Sequence, residues 1–403
     1  MITHEQNESL QALDSQQRAE FVPKQYFDVI ARRTENNRMQ PALIFTADNL
    51  RSIKRYVEYV YRLPKSAEEI SEGHNFALLG LDANLVVRHY ASLRRHAEAW
   101  DIIERESKRL STQLEQFAKE FLAQGDHLLS ALKSTSAYGL LSERLGEVMD
   151  DVTLQHLPYR ALDSKDQAQI VNVEVYLSFI REDIDEAKQD IASVKERAIW
   201  FTDAVVKQLR PEIDWLMQRL KNVDAEKKIS ELRAQIEPMD GLIAQKSAEY
   251  QALVGYAFSG LAFGLIGVAI TGGIYGAQAE QVRAEKNELI GQRDALAQKI
   301  AAISPMIGSF EKTSLQIADL KFRLTEVQTA AKNLEDIWSM LGVYVEESEE
   351  EMRRIDTDIK LATFIHRFER VVRPWESIRG LSAQLSRIFN ETLDQISRQG
   401  ASR

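Results

Sequence analysis

The residue types most able to do chemistry are thinly spread in this sequence. Seven histidines (His4, His74, His89, His96, His127, His156 and His366) are scattered over 403 residues, and only His89 and His96, seven apart, share a helical face. Two imidazoles are half of a metal site, but no third ligand accompanies them, and the spacing reads as histidines on a helix surface. The acidic run Glu346-Glu347-Ser348-Glu349-Glu350-Glu351 could attract a cation; it falls at the polar positions of a heptad pattern and reads as a solvated face. GxxxxGK[ST], a strand followed by GxGxxG, HExxH and GxSxG are all missing. There is no cysteine, hence no thiolate nucleophile, zinc–thiolate site or disulfide. The sequence predicts neither an enzyme nor a cofactor or metal.

The unusual chemistry lies in solvation. Residues 250–279 read YQALVGYAFSGLAFGLIGVAITGGIYGAQA, without one charge, in a chain whose residues are 28% Asp, Glu, Lys and Arg. Eighteen residues of helix from Leu253 to Ile270 would reach about 27 Å, close to the roughly 30 Å hydrocarbon core of a bilayer. The candidate membrane-interacting side chains are Leu253, Val254, Tyr256, Phe258, Leu261, Phe263, Leu265, Ile266, Val268, Ile270, Ile274 and Tyr275. Seven glycines, Gly255, Gly260, Gly264, Gly267, Gly272, Gly273 and Gly276, fall in the same stretch and serve as packing or hinge points. Each weakens a helix in water by about 1 kcal/mol, whereas GxxxG spacing lets helices approach closely in lipid. The composition thus predicts conditional insertion. The other readings are the buried centre of a large bundle and a single-span anchor, the latter disfavoured because the flanks show no Lys/Arg asymmetry.

The elements that must carry this segment are helical. Gly and Pro number 18 and 8, and helix formers dominate. Residues 1–40 are polar and aperiodic and read as a loose arm. A helix is expected after Thr46 as N-cap, and another from about residue 81 to 123, stopping at Gly125. Ser164 and Gln167 form a candidate capping box, after which Ile170, Val173, Leu177, Ile180, Ile184, Ala187, Ile191, Val194, Ala198 and Phe201 alternate steps of three and four. Pro211 starts a fresh helix or kinks this one. A second seam places Val282, Leu289, Leu296, Ile303, Phe310, Ile317, Leu324, Ala331, Trp338, Val345, Met352 and Ile359 at every seventh position. A run like that arises by chance roughly once in twenty thousand registers, so the heptad is real and predicts one helix of about 115 Å. The five tryptophans fall mostly at core-like positions. Breakers at Pro238 and Gly241 and at Pro305 and Gly308 read as matched kinks, placing the turn near Thr271-Gly272-Gly273; the middle of the uncharged window, near residue 264, argues for an earlier turn.

The expected fold is all-α: an elongated helical bundle with a long antiparallel coiled-coil hairpin carrying an apolar membrane-interacting tip. In domains this means a flexible arm 1–40, a bundle from 41–210 and 310–403, a stalk from 211–249 and 280–309, and the tip 250–279. A net charge of −10 argues against nucleic acid as a partner. The N-terminus lacks the layout of a secretory signal, so export by a non-classical route is expected. With LVGYAFSGLAFGLIGVAITGGIYG set between two very long coiled-coil helices, the chain resembles α-helical pore-forming toxins of the cytolysin A type, and most of all the A component of binary xenorhabdolysin-type cytotoxins. The resemblance implies a secreted soluble monomer that binds a target-cell bilayer, joins a second (B) component and oligomerises into a lytic pore. The alternative is a membrane-tethered coiled-coil scaffold without lytic activity.

Overall fold

A computed structural model describes residues 14–31, 45–71, 82–145, 154, 157–220, 227–263 and 266–401; the side-chain surroundings of residues 254–277 lie outside that description. Its helices are α1 (Ser15–Ala31), α2 (Ala47–Tyr61), α3 (Ala67–Ser71), α4 (Ala83–Lys133), α5 (Ser136–Leu145), α6 (Ser164–Val173), α7 (Val175–Ala204), α8 (Arg210–Leu220), α9 (Lys227–Phe263), α10 (Ile266–Ile303), α11 (Pro305–Met352), α12 (Asp358–Val372) and α13 (Pro374–Ala401). Among the described residues the only β pairing is a bridge between Ala161 and Thr357. The all-α expectation holds.

The body is built from α4, α7 and α11 lying side by side, with α1, α2, α12 and α13 around them. The seam on α7 is buried as expected, from Leu177 to Phe201. Its partner on α11 is buried from Phe310 through Val345. Where the seams meet the outer helices, Trp338, Trp375, Phe117 and Phe121 form one aromatic cluster, with Trp338 and Trp375 edge-to-face at 6.3 Å. Trp100 is buried too, but Trp200 and Trp215 are 57% and 42% exposed, against the sequence expectation.

Several local expectations need correction. Residues 15–31 form α1, because Val22, Tyr26 and Phe27 find a tertiary core and Asp14 and Gln17 cap its start reciprocally. Helix α4 runs through Gly125, whose missing side chain makes room for Val372. Thr46 caps α2 as expected. The cap of α6 is Asp163, one residue earlier than the sequence suggested. Ahead of Pro211, which has no N–H to give, the helix widens into a π turn at Val205–Leu209 before α8 resumes. Pro238 and Gly241 sit inside an uninterrupted α9.

The largest correction is at Ser304. The twelve-position seam does not form one helix: α10 ends at Ile303, Ser304 is extended (φ −142°, ψ 102°), and α11 starts at Pro305. A proline pushes the preceding residue out of the helical region, and here the chain reverses direction. Arg293 donates to the Leu315 carbonyl at 3.4 Å and Arg323 to Asn287 Oδ1 at 2.6 Å, so α10 lies antiparallel along α11. The hairpin of α9 and α10 is folded back beside the body.

Candidate membrane-interacting tip

Helices α9 and α10 pair antiparallel. Lys246 meets Glu285 at 2.7 Å, Asp240 meets Arg293 at 3.1 Å, and Tyr250 packs on Val282. Each pair is centred within two residues of 265, so the reversal falls between Phe263 and Ile266, and Thr271, Gly272 and Gly273 are helical positions within α10. The middle of the uncharged window, not the midpoint of the breakers, locates the turn.

This changes what the tip can do. Residues 253–270 are two helical ends rather than one 27 Å helix; each uncharged arm, 250–263 and 266–279, is fourteen residues or about 21 Å long. Among the described residues no helix is long and apolar enough to cross a membrane. A segment this short suits re-entrant or interfacial placement. Of the expected contact residues, Leu253 is partly buried at the base of the tip. Val254, Tyr256, Phe258, Leu261 and Phe263 are on the end of α9, and Ile266, Val268, Ile270, Ile274 and Tyr275 are on the start of α10. Leu265 and Gly264 lie outside the described residues.

The antiparallel register brings Gly255 level with Gly276 and Gly260 level with Gly272. Sequence reading treated these glycines one arm at a time and missed the match, which appears once the turn is fixed near 265. Paired glycines permit close backbone approach between the arms. Gly267 and Gly273 are helical positions of α10.

Below the tip the stem becomes charged abruptly. Tyr250 and Val282, with Leu253, form an apolar cluster separate from the main core. The fully buried Lys286 ammonium lies 5.4 Å from the Tyr250 ring centroid. Lys246 bridges Glu285 and Glu249; its hydrogen bonds to them, Glu285 first, raise its pKa, and the bond from Lys246 lowers that of Glu285. Ala252 and Gln278 are exposed, so the base of the tip is not sealed in the bundle. The arrangement is an uncharged wedge on a charged collar.

Among the described residues no group of three His, Cys, Asp or Glu could hold a metal. The two histidines of the shared face are buried rather than on the surface. His96 Nε2 donates to the Phe201 carbonyl at 3.0 Å and its Nδ1 accepts from the Tyr56 hydroxyl at 2.9 Å; burial holds its pKa down to about 4. His89 is 4% exposed and meets Glu212 of α8 at 2.9 Å. Both tie α4 to the segment around the π turn. In the acidic run, Glu349 is buried against Arg181, while Glu350 remains exposed beside Arg354.

The chain is similar to several solved structures. YaxA from Yersinia enterocolitica is 24% identical, covering 88% of this chain and 100% of its own, with a TM-score of 0.46. The XaxAB pore complex from Xenorhabdus nematophila is 25% identical over 88% and 100%, with a TM-score of 0.42. Soluble SmhA of the tripartite α-pore-forming toxin Smh from Serratia marcescens is 11% identical over 95% and 98%, with a TM-score of 0.49. No protein-family profile matches the chain, and no curated protein does. These structures are of the kind that the sequence resembles; with TM-scores below 0.5, the functional reading rests on this chain's own residues.

Those residues include a set that sequence reading missed. Asp48, at the start of α2, accepts from Arg283 at 2.7 Å and from Asn287 at 3.1 Å. Arg233 of α9 pairs with Glu311 of α11. Arg283, Lys286, Arg293, Glu311 and Arg323 are all at most 6% exposed. The available signal was the pair Lys286 and Arg293, seven apart and four residues beyond the seam positions Val282 and Leu289. Burial there requires α10 to be covered on a second side.

Proposed function

We propose that this chain is one component of an α-helical pore-forming toxin, whose uncharged hairpin tip enters the bilayer of a target cell from outside while the charged collar stays at the headgroups. The observation that carries this reading is the pair of fourteen-residue uncharged arms, glycine matched to glycine, mounted on a stem whose charges begin at Glu249 and Glu280 and continue with Lys246, Arg283 and Glu285. Transfer of nine strongly apolar side chains between Leu253 and Ile270 is favourable by about 3 to 5 kcal/mol on an insertion scale, enough for conditional attachment. Arms of about 21 Å fall short of the hydrocarbon core, and residues 253–270 have almost no polar face. A second component therefore supplies most of the conducting wall, and lysis requires both, assembled as an oligomer on the membrane.

Liposome flotation tests the tip. The parent protein floats with vesicles and the Phe258→Asp, Leu265→Asp double variant stays at the bottom; equal flotation refutes the assignment. Dye release with and without the second component separates a toxin subunit from a tethered scaffold, which attaches but never releases dye.

A further inference from the structure

We propose that the folded-back hairpin is one of two built-in states, the other being a straight rod in which α10 and α11 join into a single helix and the α9–α10 pair extends the α7–α11 pair. Three independent features of the chain converge on this.

The heptad phase does not change at the fold. Leu296, Ile303, Phe310 and Ile317 keep a spacing of seven straight through Ser304 and Pro305. Two helices that met only as a reversal would have no reason to share one phase, whereas a continuous coiled-coil helix requires it.

The pairing register is also shared. Along the body, Arg181 pairs with Glu349 at 2.8 Å, Lys195 with Glu335 at 2.6 Å, and Gln328 with Thr202 at 2.9 Å; each pair is centred on residue 265. Along the hairpin, Lys246 with Glu285, Tyr250 with Val282 and Asp240 with Arg293 are centred on the same place to within two residues. Two separate antiparallel pairs agree on one midpoint only if they are portions of one long hairpin. The joints agree as well: the position level with Ser304 in this register is 226, beside the start of α9 at Lys227. Helix α9 thus begins at the height at which α10 ends, as a jackknife requires.

Gly308 marks the folded state. A Cβ placed there would lie 2.2 Å from Ala301 Cα and 2.7 Å from Ala301 N, which are backbone atoms that cannot rotate away. In a straight helix, positions 301 and 308 are two turns and about 10 Å apart, and glycine there only weakens the helix. The glycine serves the reversal alone. Contacts across the fold include the ionic pairs Asp48 with Arg283 and Arg233 with Glu311, groups that water can solvate once they separate.

The absence of cysteine permits a clean distance measurement. Spin labels on Gln292→Cys and Lys321→Cys, both exposed, sit on adjacent antiparallel helices in the folded form, whose axes are about 10 Å apart. In the straight form they are twenty-nine residues apart on one helix, about 44 Å. The labelled parent in buffer gives the short distance. Adding Gly308→Ala raises the long-distance fraction at least fivefold, because position 308 is helical in both forms and the new Cβ meets Ala301 only in the folded one, with helix content unchanged. Arg233→Ala with Arg283→Ala, which leaves Gly308 in place, moves the same way by loosening the ionic contacts. Short distances only in both variants overturn the proposal, as does a Gly308→Ala chain that loses helix content while the ionic variant stays short. The measurement is made without lipid, so failure of the flotation experiment leaves this result standing, and the reverse.

Discussion

The body and the outer half of the hairpin are held by different chemistry. In the body, Trp338, Trp375, Phe117, Phe121 and Phe27 bury their rings against one another at centroid distances from 4.7 to 6.3 Å. Near the joint the hairpin shares the body's core through Ile229, Leu232, Ile236, Leu296 and Ile300. Towards its tip, among the described residues, Tyr250, Val282 and Leu253 form a separate apolar cluster, and the interface with α2 and α11 is lined by Arg283, Asn287, Arg323 and Glu311. Apolar packing is roughly proportional to area and indifferent to direction, so it makes the body stable. Buried ion pairs add little net stability but fix where a helix lies, and their loss is local. One region is therefore expected to melt as a unit, and the other to come loose first.

The comparison breaks most visibly at Trp338. Trp338→Ala should cost about 3–5 kcal/mol in chemical denaturation and lower the stability of every helix of the body together; a loss confined to α11 would show that the cluster is not shared. Acid should act next. His96 is neutral when folded, with a pKa near 4 against about 6.5 unfolded, so the unfolded chain binds the extra proton and stability falls as pH drops from about 6.5 towards 4. The loss is about 3 kcal/mol, and His96→Gln should flatten the slope of melting temperature against pH in that window. Arg293→Ala should cost about 1–2 kcal/mol, because Asp240 is 39% exposed and regains water. Its signature is regional: hydrogen exchange quickens in α9 and α10 while the denaturation midpoint of the body barely moves. The smallest effect belongs to Asp183, whose pKa is pushed up to about 6 by burial and then by Glu120, Glu186 and Glu182. Its folded form prefers the proton, so stability falls as pH rises from about 4 through 6. Asp183→Asn should raise the melting temperature by about one or two degrees at pH 7.5 and leave it unchanged at pH 4.

What could be read in advance follows the same division. The α7 seam from Leu177 to Phe201 and the cap at Thr46 were legible because apolar spacing and local hydrogen bonding are written in neighbouring residues. The uncharged window also located its own turn, since the chain reverses between Phe263 and Ile266. The fold at Ser304 was not legible, because the seam runs through it in phase and the groups that hold α10 down, Asp48 above all, are over two hundred residues away. Helix α1 was hidden for a related reason: its polar sequence with Pro23 has little helical preference, and Val22, Tyr26 and Phe27 become helical by being buried. His89 and His96 were misjudged as surface groups because a spacing of seven says which face they share, not what covers it.

The bridge between Ala161 and Thr357 stands at the end of the body away from the joint. Leu162 N–H donates to the Asp356 carbonyl at 2.9 Å, Asp358 N–H to the Arg160 carbonyl at 3.0 Å, and the Asp358 carboxylate accepts from Arg160 N–H at 2.7 Å. This small buckle fastens the root of α6, which leads into α7, to the root of α12 just past the end of α11. Slippage of one arm along the other would have to undo it before any side chain could find a new neighbour. Lengthwise sliding is thereby forbidden, and the rod is left with flexure as its one inexpensive movement.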